Sequence, residues 1–154
     1  MIIVSFSNLN LVSSSHRREM KNFTSFFLSN CMETYLKCKE TYYIHIEICS
    51  KMKGEKGTCE VESEETKRGK YKDYLVSIKK SKKSINLLET LGHELTHVKQ
   101  YMTGKLNFGK DVHHTIWEGK SYDERKVSYW MSPWEIEAYG MERCIYELWK
   151  NNKK

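Results

Sequence analysis

Hydrophobic positions recur along this chain with two periods, and each change of period marks a new element. Between residues 16 and 37, Phe23, Phe26, Phe27 and Cys31 or Met32 recur at the spacing of one helical face, which predicts an amphipathic helix. From 42 to 49 the period drops to two. Ile44, Ile46 and Ile48 alternate there with His45 and Glu47, the pattern of a half-buried strand. KGEKG then reads as a turn into a second strand near 57–63, and YKDYLVSIKK supplies a third, with Tyr74, Val76 and Ile78 on one face. Three strands in short succession predict a small, largely antiparallel sheet, whose edge strand, expected at 71–80, could hold an extended peptide.

Helical spacing returns from Ser84, a suitable N-cap, to Gly104, a suitable C′ residue. It returns again in SPWEIEAYGMERCIYELWK (132–150), where Ser132 can cap and Pro133 suits the first helical position. Trp134, Ala138, Met141, Ile145 and Leu148 form the expected apolar face of this last helix. The order predicts one α+β domain over residues 1–154: an N-terminal helix, the short sheet, and two further helices.

Winding 84–104 at about 100° per residue divides it in two. Leu88, Leu91, Leu95, Val98 and Met102 gather on one side, and Asn86, Thr90, His93, Glu94, His97 and Tyr101 on the other. The histidines therefore point away from the core stripe, toward a cleft.

Composition changes this picture little. Hydrophobic residues make up 39% and charged residues 30%, as in a folded water-facing protein. No apolar run has the length of a membrane span, and MIIVSFSNLNLVSSSHRREM lacks both a basic leader and a sustained apolar segment, so a cytoplasmic location is expected. Five scattered cysteines without a C-x-x-C pair read as free buried thiols. The net charge of +6 comes with lysines in KKSKK (79–83), KRGKYK (67–72) and the tail, which permits nucleic acid as a partner. Acidic clusters such as EVESEE (60–65) interrupt them, and the charge runs read as a solvated surface.

The chemistry lies in LGHELTHVKQY (91–101). Residues four apart on a helix are neighbours, so His93 and His97 can converge on one ion at zinc–nitrogen distances of about 2.0–2.1 Å. Glu94, rotated by one residue, misses the ion but reaches a water on it and can act as general base, then return the proton to a leaving amine. This is the mechanical reason for H-E-x-x-H. A catalytic zinc needs a third protein ligand and an open position. Glycine three and histidine six residues after His97 are missing, since Gln100 and Thr103 stand there. His113 and His114 read as a loop entering a strand, where at most one of them could face the site. Glu135 and Glu137, at the start of the last helix, are the better candidates. Glu135 also completes a capping box with Ser132, whereas Glu137 falls at the edge of the apolar arc, where a buried acid needs a partner.

HELTH followed by PWEIEAYG resembles the gluzincins, thermolysin-like zinc peptidases with two histidines on one helix and a glutamate on a later one. The small size is similar to that of the minigluzincins and of small metallopeptidase-like proteins encoded by viruses and phages, which would put the chain in a host cytoplasm. The likeness covers roughly 84–142. It implies a zincin-like domain, a zinc metalloendopeptidase acting on peptide or protein substrates, Zn2+ held by His93, His97 and Glu135, and Glu94 as the catalytic base. Family patterns with the glutamate three residues before an alanine make Glu135 the ligand and Ala138 the small packing residue. The family's Asp or Asn after that alanine is Tyr139 here, so the partner orienting a ligand histidine passes to Tyr139 or Glu142. Tyr129, Tyr139, His113 and His114 are the candidate donors to the reaction's oxyanion. Two other readings stay open: a Spartan-type protease with His113 or His114 as third ligand and lysines meeting DNA, and a binding module that keeps the fold without turnover.

Overall fold

The computed structural model describes residues 1–37, 39–62 and 72–153. Cys38 and 63–71, which include most of the KRGKYK run and the outer ends of two expected strands, lie outside the described residues, as does Lys154. The chain opens with a strand the periodicity did not announce, β1 (Ile2–Ser7), followed by α1 (Ser14–Cys31) and the single turn α2 (Glu33–Leu36). Next come β2 (Tyr42–Cys49), β3 (Gly57–Val61), β4 (Asp73–Lys79) and the long helix α3 (Ser84–Thr103). A small antiparallel meander of β5 (Leu106–Phe108), β6 (His114–Trp117) and β7 (Lys120–Asp123) leads into α4 (Pro133–Asn152). The fold is α+β, as expected.

The main sheet is not largely antiparallel. Its order is β1-β2-β4-β3, with β1–β2 and β2–β4 parallel and only β3–β4 antiparallel. The connections explain this. The helices α1 and α2 carry the chain back along the sheet, so β2 starts in the same direction as β1, as a parallel pair requires. β3 makes the return from β2 to β4 but, among the described residues, pairs with β4 alone. The edge expected at 71–80 is therefore interior, and among the described residues β1 and β3 are the edge strands.

Strand alternation places Ile44, Ile46 and Ile48 of β2 and Tyr74, Val76 and Ile78 of β4 on the buried face. They meet Met20, Phe23 and Phe27 of α1 and Leu88, Leu91, Leu95, Val98 and Met102 of α3 in one core. Trp149 of α4 closes it, edge-on to Phe23 at 6.0 Å. A second cluster, Leu106, Trp117 and Trp134, joins the meander to α4.

Two helix details differ from expectation. Ser84 lies inside α3, whose N-cap is Lys83, and its hydroxyl donates to Glu19 of α1 instead of capping. Leu148, expected on the apolar face of α4, is 56% exposed. Gly104 does end α3 in the left-handed region, at φ 75°. Among the described residues no helix is long and apolar enough to cross a membrane. Cys31, Cys49, Cys59 and Cys144 are free thiols, but the first three are half-buried and Cys144 is exposed, rather than buried as expected.

Candidate metal centre

α3 is buried on nearly every side, because the face opposite its core stripe is covered by β3 and α4. Between them opens a cavity of about 700 Å³. All six residues assigned to the polar side of α3 line it: Asn86, Thr90, His93, Glu94, His97 and Tyr101. From α4 come Trp134, Glu135, Tyr139 and Glu142, and from the turn before it Tyr129 and Trp130.

His93, His97 and Glu135 are buried and bring one ligand atom each to within 4.8 Å of the others, a group that could hold a metal ion. Nε2 of His93 stands 3.1 Å from Nε2 of His97. Oε2 of Glu135 is 3.2 Å from Nε2 of His93, and its Oε1 is 3.5 Å from Nε2 of His97. The far side of each ring is occupied. Nδ1 of His93 faces Oε2 of Glu142 at 3.0 Å, and Nδ1 of His97 faces Oε1 of Gln100 at 2.8 Å. Both partners are acceptors, so in the neutral ring each Nδ1 carries the proton and each Nε2 presents a lone pair, which a metal ion or, for His93, a second proton can occupy. Two lone pairs and a carboxylate meeting in a buried space repel one another unless a cation lies between them. Oε2 of Glu135 is moreover buried without a hydrogen-bond partner. These observations fit a metal-binding donor set.

Gln100 is itself pinned. Its amide donates to the carbonyl of Trp134 (3.0 Å) and to Oε2 of Glu137 (2.9 Å), which leaves Oε1 to face His97. Glu137 also takes a bond from Lys105 at 2.7 Å. It thus lies one step behind the cluster, supporting Gln100, and is not a member of it. Outer partners of this kind fix the tautomer and orientation of a ligand histidine. Glu142 fills the place left open by Tyr139, whose ring instead packs against His93 with centroids 4.5 Å apart.

The electrostatics follow the crowding. Burial pushes the Glu135 carboxyl up, but the adjoining imidazoles of His93 and His97 overcome this and hold it at about 2. Burial pushes His93 down, and Glu135 and Glu142 hold it up at about 9. Burial raises Glu94 to about 7 against the pull of His97 and His93. Burial, then hydrogen bonds with Tyr139 and Glu135, push the Tyr129 phenol well above its usual value.

Glu94 sits beside the cluster but outside it, and accepts no hydrogen bond from a described residue. It is pressed by the start of β3: a Cβ on Gly57 would come 2.7 Å from Oε1 of Glu94. Only glycine lets this strand approach so closely.

His93, Glu94, His97 and Glu135 are thus brought together as expected, with Tyr129 and Tyr139 at the rim. His113 and His114 are not among the lining residues. His114 bonds Asp111 through Nδ1 at 2.7 Å. Gln100 and Gly57 were missed; the spacing of Gln100 three residues after His97 was the one signal available for either. No protein-family model, no curated protein and no solved structure matches this chain.

Proposed function

We propose that this protein is a zinc-dependent metallopeptidase of the gluzincin type, with a zincin-like fold. The observation that carries the reading is the closure of His93, His97 and Glu135 into a buried triangle with Glu94 beside it in an open cavity. Three ligands of a tetrahedral zinc, each about 2.0–2.1 Å from the ion, stand about 3.3 Å apart. The separations of 3.1, 3.2 and 3.5 Å bracket that value.

Zinc bound there supplies Lewis acidity, polarising a carbonyl and acidifying a water. The chain's own residues do the rest. The free edge of β3 runs along the cavity and can pair with an extended peptide, bringing its carbonyl between the triangle and Glu94. Glu94 takes the proton of the attacking water and passes it to the leaving amine. Tyr129, at the rim beside Glu135, is the donor best placed for the oxyanion. The third-histidine alternative finds no support, since neither His113 nor His114 lines the cavity or belongs to the cluster.

Metal content and hydrolysis of a quenched fluorescent casein test the reading together. Glu94→Gln should retain zinc and lose turnover by at least about a hundredfold, the usual weight of a general base. Glu135→Gln should lose zinc, whereas Glu137→Gln should keep it. Unchanged turnover in Glu94→Gln would refute the mechanism. Metal retained without turnover in the wild type would favour a binding module.

A further inference from the structure

A separate feature occupies one end of the four-stranded sheet. The turn after β2 (50–56, SKMKGEK) and the turn after β4 (80–83) are tied together there. The amide of Lys80 donates to the carbonyl of Cys49 at 2.9 Å, and that of Lys79 to the carbonyl of Lys56 at 2.8 Å. The first turn contributes Lys51, Lys53 and Lys56, and the end of β4 with the second turn the four lysines of KKSKK. All seven are exposed. None forms an ion pair with a described residue. Along the chain the basic runs alternate with acidic ones, whereas within these two tied turns lysine predominates. Glu55 is the one acid within the two segments, so the positive excess gathered here equals the +6 of the whole chain.

We propose that this end of the sheet binds the phosphodiester backbone of nucleic acid without sequence preference. Lysines spread evenly would serve solubility equally well, whereas an unneutralised cluster raises the local potential and gains by releasing counterions from a polyanion. Lysine is a point charge without the planar fork that reads base edges, so the contact is to phosphate. An anionic membrane fits less well. Lasting adhesion to a bilayer requires inserted apolar groups beside the charge, and the one apolar residue in these turns, Met52, is half-buried. Gly54, Glu55 and Lys56 also line the cavity, so the basic end borders its mouth. A nucleic acid held there would run beside the cleft, within reach of proteins bound to it. The surface is independent of the hydrolytic reading and stands without it.

The test is fluorescence anisotropy with short labelled single- and double-stranded DNA of mixed sequence, using the full chain. Wild type should bind at low salt. About five phosphate contacts on duplex would give a log–log salt slope of about −4 to −5. The variant Lys79→Glu/Lys80→Glu/Lys82→Glu/Lys83→Glu should lose about a hundredfold or more in affinity at low salt and flatten that slope. A control with the same net charge, Lys110→Glu/Lys120→Glu/Lys126→Glu/Lys150→Glu, should bind nearly as well as wild type. Circular dichroism checks that all three fold alike, and Lys51→Gln/Lys53→Gln/Lys56→Gln, which adds no acid, gives a second reading of the same surface. Equal losses in patch and control variants, or no wild-type binding at low salt, overturn the proposal. So does tighter binding to phosphatidylserine vesicles than to either DNA.

Discussion

Replacing Gly57 with alanine measures how tightly β3 is pressed onto the proposed base. The new Cβ would stand 2.7 Å from Cγ2 of Thr90, 2.9 Å from Cγ of Glu94 and 2.7 Å from Oε1 of Glu94. Carbon atoms settle at about 3.5–4.0 Å from one another, so the methyl overlaps Thr90 by about 0.8 Å or more. Thr90 has two usable rotamers at most on a helix and yields little. The overlap is therefore relieved in one of two ways: the Glu94 carboxylate swings aside, or the start of β3 lifts away from α3. Either response moves Glu94 by about 1 Å relative to a substrate paired on β3, a displacement that can cost about a hundredfold in rate.

Overpacking of this kind costs about 1–3 kcal/mol. At about 2–4 °C per kcal/mol for a chain of this size, Tm should fall by roughly 2–12 °C. The ligands themselves are untouched, so metal content should stay at the wild-type value. Thermal unfolding, metal analysis and casein hydrolysis on one preparation separate the parts. Wild-type turnover with wild-type Tm would refute the close approach of β3. Loss of metal would instead show that the strand shapes the ligand cluster.

Glu142→Ala removes the acceptor behind His93 and should weaken zinc binding by about ten- to a hundredfold, read by competition with a chelating dye. Phe23→Ala empties the junction of α1, α3 and α4 and should cost about 3–5 kcal/mol in urea unfolding, with no effect on zinc affinity once folded. Chelator-treated protein should regain stability on adding zinc, by about 2.7 kcal/mol at a free concentration a hundred times Kd, or about 5–10 °C in Tm. No rise in Tm would mean that the cluster does not hold the ion.

Where a residue's fate is decided by its own element, the sequence was legible. The two-residue period of β2 and β4 reports a single buried face, and both strands bury the isoleucines it selects. His93, Glu94 and His97 belong to one helix, so their mutual placement follows from its pitch alone. The parts that failed depend on distant partners. Ile2, Val4 and Phe6 of β1 alternate too, but an edge strand buries them only in part and the signal stays weak. Parallel pairing of β2 with β4 reflects where the return strand finds its neighbour, which no local period encodes. Gly57 next to Glu94 was invisible for the same reason, whereas Gln100 behind His97 lay within reach of the helical pitch.

The choice between Glu135 and Glu137 shows how a small error of phase propagates. At about 100° per residue, Leu148 and Met141 pull the apparent apolar arc of α4 toward Glu137 and leave Glu135 outside it. In the folded chain Leu148 is exposed and Met141 only half-buried, so neither defines the packed stripe. That stripe runs through Trp134, Ala138, Ile145 and the half-buried Trp149, and its centre is shifted by about 30° in the other direction. Glu142 and Glu135 then both fall on its flank, turned toward α3, while Glu137 turns away to Gln100 and Lys105. The capping alternative disappears by the same geometry: Ser132 spends its hydroxyl on the carbonyl of Ser128, leaving the Glu135 carboxylate to face the histidines. Two acids on the buried side of a helix are costly without partners. Each finds one on α3, Glu135 at Nε2 of both histidines and Glu142 at Nδ1 of His93. The same contact that packs α4 on α3 therefore builds the cluster of His93, His97 and Glu135, and a variant that shifts α4 should disturb both at once.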